Sequence, residues 1–306
     1  MKTRILSLLL LLSLGACSTP EFHENPVIAH RGAWKDTGLP QNSLASFSAA
    51  AQMGCHGSEC DVWITADDSL VIFHDPQRNG MQLETSLYAD IVREPLANGE
   101  KIPTMREYIE CAREYPQTKL IIDVKNHQNP ERTYAVFRAT DKLVKEMGYE
   151  DKVEYLIAYI PAYKEFASMT DRPLAYLGRW RDELPEMHPD TIAAYGIRYL
   201  DYQNVDYEAH PDRVERFKKD GIHLNVWPVN KEDEMDLYLA QDFDYITTDH
   251  PGLLLEKYRN RSYAARNRKK IFGPGRFHAL CHILGAYRPR LSQFCPGAYR
   301  AREDKR

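Results

Sequence analysis

Four short stretches put reactive side chains where a folded core would hold apolar ones. Val27-Ile28-Ala29 runs directly into His30-Arg31-Gly32. Ser58-Glu59-Cys60-Asp61-Val62 carries two carboxylates, Val71-Ile72-Phe73 ends in His74-Asp75-Pro76, and Leu120-Ile121-Ile122-Asp123-Val124-Lys125 adds a carboxylate and an ammonium. Strands buried on both faces are nearly continuous Val, Ile and Leu. Charged residues are almost never fully buried without a partner. Glu59 and Asp61 are two apart, so on a strand they point to one side, and Asp123 and Lys125 do the same. Three carboxylates, an ammonium, a guanidinium and two imidazoles at strand ends make a site, not a core.

The chemistry follows from the residue types. Three carboxylates from two strands are a hard oxygen set, suited to one divalent cation, Ca²⁺ or Mg²⁺. No Cys or His has the spacing of a zinc finger, which argues against Zn²⁺. A dication held beside a phosphate polarises its oxygen. His30 and His74, flanking it, can serve as base and acid. Arg31 and Lys125 add donors for an anionic phosphate. A lone histidine is usually a hydrogen-bonded packing residue. Two at two strand ends beside a carboxylate cluster are better read as catalytic.

The elements that must position these groups alternate along the chain. Strands are expected at Val27–His30, His56–Trp63, Leu70–His74, Lys119–Val124, Lys152–Ala158, Pro173–Gly178, Ile197–Leu200, His223–Val226 and Tyr245–Thr248. Helical stretches lie between them. Asn42–Gly54 has a polar start and a glycine stop, Thr104 and Glu107 form a capping box, and Pro130–Gly148 and Pro211–Asp220 are amphipathic. Such alternation implies a parallel sheet. About eight units between Pro26 and Asn260 fit an α/β fold of the (β/α)8 TIM-barrel type, in which chemistry sits at the C-terminal ends of the strands. His30, Glu59, Asp61, His74, Asp123, Lys125, Trp227 and Asp249 all fall near expected strand ends. An open doubly wound sheet is the alternative, but no Gly-rich phosphate loop opens a helix after a strand.

The two ends of the 306-residue chain differ from this pattern. Met1-Lys2-Thr3-Arg4 is positive, Ile5 to Leu14 is apolar, and Leu14-Gly15-Ala16-Cys17 follows. The apolar run is too short to span a bilayer and reads as a secretory signal. Its ending resembles a bacterial lipobox. Residues 1–16 are thus read as a signal peptide, and 17–26 as a lipidated Cys17 and tether. The barrel occupies 27–258, and the protein is expected at the membrane of the bacterial cell envelope. Residues 259–306 form a basic extension, expected to be poorly ordered. From Lys257 onward there are fourteen Lys or Arg and two acidic residues; with a net charge of −4 overall, the preceding chain carries about −16. A basic tail can meet lipid head groups; no nucleic-acid partner is expected. Export permits disulfides, and Cys281 with Cys295 is a candidate pair. Cys60 alternates with Glu59 and Asp61, so it should face the helix layer as a small hydrophobe.

These residues resemble the glycerophosphodiester phosphodiesterase family, part of the phospholipase C-like phosphodiesterases. The matching motifs are Ala29-His30-Arg31-Gly32, Gln41-Asn42-Ser43, Ser58-Glu59-Cys60-Asp61-Val62, the Leu70–Pro76 stretch, Ile102-Pro103-Thr104, Asp123-Val124-Lys125, Val226-Trp227-Pro228-Val229-Asn230 and Thr248-Asp249-His250-Pro251. They occur in the family's order. The resemblance implies a metal-dependent barrel hydrolase acting on small glycerophosphodiesters. It implies His30 and His74 as the acid/base pair, and Glu59, Asp61 and Asp123 as metal ligands. Arg31 and Lys125 would hold phosphate, and Trp227 would line the pocket. One His would take a proton from the glycerol 2-hydroxyl, which attacks phosphorus to give a cyclic phosphate. The other would protonate the leaving alcohol, and water would then open the ring.

Two positions depart from the family pattern. Gln41 stands where Glu is usual, which removes one charge from the mouth. Asp123 stands where Glu is usual and is one methylene shorter. A lipid head-group phosphodiesterase and a non-catalytic binding lipoprotein are the other readings. The charged stretch Arg179-Trp180-Arg181-Asp182-Glu183 suits soluble diesters better than lipids.

Replacing Cys17 by Ser is expected to leave the barrel folded and to release it from membranes, because acyl chains would be the anchor. Fractionation of cells carrying the variant checks this. Unchanged membrane retention would shift the anchor to the basic tail.

Overall fold

The computed structural model describes residues 22–178 and 188–272. Cys17, the leader, the stretch 179–187, and Cys281 and Cys295 in the tail lie outside the described residues. The strands are β1 Val27–Ala29, β2 Gly57–Ile64, β3 Leu70–Ile72, the short ribbon β4 Gln77–Arg78 with β5 Met81–Gln82, β6 Lys119–Val124, β7 Val153–Ile157, β8 Leu174–Gly178, β9 Tyr199–Gln203, β10 His223–Trp227 and β11 Tyr245–Thr248. Eight of them pair in parallel in the order β1-β2-β6-β7-β8-β9-β10-β11, and β11 returns to β1. The barrel is therefore closed, and among the described residues no parallel strand is left with an edge.

Strand alternation sorts side chains into two layers. Ile28, Ile121, Leu156 and Ala175 point inward and form a small interior cluster. Cys60, Val62, Leu120, Ile122 and Val124 point outward into the large core shared with the helices. Glu59, Asp61 and Asp123 alternate with the outward set, so they face the interior. The register fixes them side by side: Asp61 pairs with Asp123 and Glu59 with Ile121.

The helices that carry the loops are capped as their sequences require. Ser43 caps Leu44–Met53 by accepting from the Ser46 amide, and Gly54 ends that helix at φ 87°. The Thr104–Glu107 capping box opens Met105–Ala112 with both reciprocal bonds made. The helix from Pro130 ends at Glu146, and the one from Pro211 ends at Lys219.

Two differences from the sequence reading bear on function. The stretch Leu70–His74 does not belong to the parallel alternation. Its strand is only Leu70–Ile72, and it runs antiparallel to the end of β2, with Val62 opposite Ile72. The Asp67-Asp68 turn is too short for the crossover a parallel neighbour needs. The strand expected at Ile197–Leu200 is instead Tyr199–Gln203. Contacts divide the chain after Tyr258. The last helix runs Pro251–Phe272, and residues 273–306 lie outside the described residues.

Gly32 closes the turn after β1 at φ 82°, and a Cβ built there would lie 2.6 Å from the Ser46 backbone carbonyl carbon. Gly32→Ala is expected to destabilise the protein by roughly 2 kcal/mol or more, through both strain and overlap. Denaturant unfolding measures this; a change below about 0.5 kcal/mol would show that the turn relaxes freely.

Candidate active site

His30, Arg31, Glu59, Asp61, His74, Asp123, Lys125 and Trp227 all line one cavity of about 450 Å³ at the C-terminal mouth of the barrel. The turn after β1, strands β2, β6 and β10, and the antiparallel return after β3 deliver them.

β1 stops at Ala29, and the chain turns sharply. Arg31 (φ 57°) and Asn42 (φ 59°) both adopt left-handed backbone, which is uncommon outside glycine. The His30 amide still donates to Thr248 at 2.9 Å, so its side chain leaves from the strand end. Nδ1 of His30 lies 2.7 Å from Oδ1 of Asp249. Asp249 is held in turn by Asn230 Nδ2 at 2.8 Å and Lys35 Nζ at 2.6 Å. Burial would raise the Asp249 carboxyl, but His30 and Lys35 hold it well below the usual carboxylate range. Burial lowers the pKa of His30 below 6.5 and outweighs its bond to Asp249.

Glu59, Asp61 and Asp123 are 4%, 1% and 6% exposed. They offer oxygen atoms within 4.8 Å of one another. Nδ2 of Asn42 donates to Asp61 at 2.7 Å, and the Arg31 amide donates to Glu59 at 2.9 Å. Lys125 Nζ lies 2.5 Å from Asp61 and 2.6 Å from Asp123. Burial pushes Glu59 and Asp123 up, and neighbouring carboxylates add to it. Burial would also raise Asp61, but Lys125, Arg31 and His74 hold it well below the usual range. The cluster is thus an all-oxygen pocket whose negative charge is only partly offset. That donor set fits a hard divalent cation. Asp123, although one methylene shorter than Glu, still faces the other two carboxylates.

His74 arrives by the antiparallel return. The Phe73 amide donates to the Asp61 carbonyl at 3.0 Å, and the Trp63 indole donates to the His74 carbonyl at 3.4 Å. His74 therefore sits beside the carboxylates without belonging to a barrel strand. Its Nδ1 lies 2.7 Å from Asp75, and its side chain is one-third exposed. On the far wall the Trp227 indole donates to the Asp201 carbonyl at 3.0 Å.

Several polar partners carry roles that residue types alone do not assign. Asn42, Asn230 and Asp249 all sit in matching motifs, yet only the geometry makes Asn42 the donor to Asp61 and Asp249 the partner of His30. Gln41 accepts from Arg31 Nη1 at 2.7 Å. At that position it aims the guanidinium without neutralising it.

The family model described as glycerophosphoryl diester phosphodiesterase family matches residues 30–253. Glycerophosphodiester phosphodiesterase 1 of Bos taurus is 35% identical over 256 residues, which cover 69% of this chain and 73% of that protein. A glycerophosphodiester phosphodiesterase structure from Parabacteroides distasonis superposes with a TM-score of 0.73 at 33% identity, over 79% of this chain and 99% of that one. An Oleispira antarctica phosphodiesterase, solved in complex with the product sn-glycerol-3-phosphate, shares the fold: TM-score 0.68 at 21% identity, over 76% of this chain and 96% of that one. With its motifs on one closed barrel mouth and the family model spanning most of that barrel, this chain belongs to the glycerophosphoryl diester phosphodiesterase family.

Proposed function

We propose that the protein hydrolyses glycerophosphodiesters to an alcohol and glycerol 3-phosphate. The observation that carries this is the convergence of two histidines, three buried carboxylates, Arg31 and Lys125 on one cavity. Arg31 and Lys125 bind and orient the anionic diester. A divalent cation, Ca²⁺ or Mg²⁺, held by Glu59, Asp61 and Asp123 would supply Lewis-acid polarisation of a phosphoryl oxygen.

The two histidines divide the proton transfers. The Asp249 carboxylate beside Nδ1 of His30 favours a proton on that nitrogen, which leaves Nε2 as the acceptor. His30 takes the proton of the glycerol 2-hydroxyl as that oxygen bonds to phosphorus. The bond from phosphorus to the leaving oxygen breaks, and His74, on the more open side, gives that oxygen a proton. Water then opens the cyclic phosphate, with His74 taking the water proton and His30 returning one to the 2-oxygen. The leader also supports a location: Cys17 would carry acyl chains that hold the barrel at the envelope membrane.

Assay of glycerophosphocholine and glycerophosphoethanolamine with chelator, Ca²⁺ or Mg²⁺ tests the reading. Cation-dependent release of glycerol 3-phosphate is expected, and no release with either cation would contradict it.

His30→Ala should lose roughly 10²-fold or more in kcat/KM on both the natural diesters and glycerol p-nitrophenyl phosphate. His74→Ala should lose as much on the natural diesters but far less on the p-nitrophenyl ester, whose leaving group departs without a proton. Equal losses on both esters in both variants would refute this division. His30 works only when neutral and its pKa is lowered, so the acid limb of the kcat/KM profile should lie below pH 6.5.

A further inference from the structure

The apolar pattern predicts a strand that stops at Leu200, but β9 continues to Gln203. That extension makes Asp201 an interior strand residue. β9 lies four strands from β2 in either direction around the ring, so Asp201 faces the carboxylate cluster across the barrel. It lines the same cavity. It is 1% exposed, and its Oδ1 has no hydrogen-bond partner among the described residues. Its neighbours on that wall leave Oδ1 unpaired: Asn225 and Thr247 are engaged with each other at 2.9 and 3.1 Å. Asn225 also reaches the carboxyl.

We propose that Asp201 is a specificity-determining residue that recognises a hydroxyl group of the glycerol moiety. The proposal rests on the phosphodiesterase reading above. A buried polar atom without a partner costs about 1–3 kcal/mol. A ligand hydroxyl reaching the far wall would relieve that cost. Burial, with Glu154 and Asp123 nearby, pushes the Asp201 carboxyl well up; in its protonated form it both donates and accepts. That dual capacity matches a hydroxyl. An ammonium head group, which only donates and wants an anion, matches it poorly. The residue anchors Trp227 through its backbone carbonyl, so a change of side chain leaves that bond in place.

The test is calorimetric binding of three phosphate monoesters to the full chain: sn-glycerol 3-phosphate, methyl phosphate, which has no hydroxyls, and phosphoethanolamine. The wild type should favour glycerol 3-phosphate over methyl phosphate. Asp201→Leu should cut that preference about tenfold or more, because a site built to bond a hydroxyl discriminates strongly against its absence. Asp201→Asn, neutral and polar, should keep the preference within about threefold. If Asp201→Leu fails to fold, Asp201→Ala carries the same comparison with the same expectation. An equal change for all three ligands, no change for any, or a loss confined to phosphoethanolamine in both Leu and Asn variants would overturn the proposal. A wild type that binds glycerol 3-phosphate selectively but cleaves no diester would instead sink the phosphodiesterase reading and leave this one standing.

Discussion

Three carboxylates confined to one end of a barrel repel one another, and most of the polar architecture around them offsets that repulsion. Two like charges 4 Å apart repel by about 4 kcal/mol at an effective dielectric of 20. That is comparable to the whole stability margin of a typical domain, about 5–15 kcal/mol. Glu59, Asp61 and Asp123 offer oxygens within 4.8 Å of one another and are nearly out of water. Lys125 bridges two of them, the Arg31 side chain lies 3.6 Å from Asp61, and Asn42 and the Arg31 amide take two more oxygens. Even so, Glu59 stays above its ordinary pKa. The residual negative charge is what a divalent cation would neutralise.

The same cluster explains why the backbone around it is unusual. Amides and side chains can reach the carboxylates only if the β1 turn is tight, hence the left-handed Arg31 and Asn42 and the glycine packed on Ser46. His74 can reach them only if a strand runs back along β2. His30 is held from the other side by a chain from Asn230 and Lys35 through Asp249. Two of the five left-handed non-glycine residues among those described, Arg31 and Asn42, thus sit where the substrate would bind.

The barrel was legible in the sequence because strand and helix periodicities differ and the carboxylates break them at regular places. Lys119–Val124 and Tyr245–Thr248 match their expected spans residue for residue. The carboxylates and histidines that line one cavity stood out for the same reason, whereas Trp227 as a pocket wall came from the family resemblance. The direction of the Leu70 strand was not, since alternation carries no information on whether a neighbour runs parallel or antiparallel. Asp201 was missed because a charged residue after Leu200 reads as a strand end. The Asp249–His30 pair spans 219 positions, and no local pattern reports such a contact.

The claim that carries the rest is that these carboxylates hold one divalent cation. Titration calorimetry of Ca²⁺ and Mg²⁺ into the wild type and into Glu59→Gln and Asp61→Asn tests it directly, in two buffers of different ionisation enthalpy. The wild type should bind one cation per chain and release protons as it does, because ligation favours the ionised form of Glu59, whose pKa burial and its carboxylate neighbours raise. Both variants should lose binding, and with it the proton release. Undiminished binding in both variants would contradict the account.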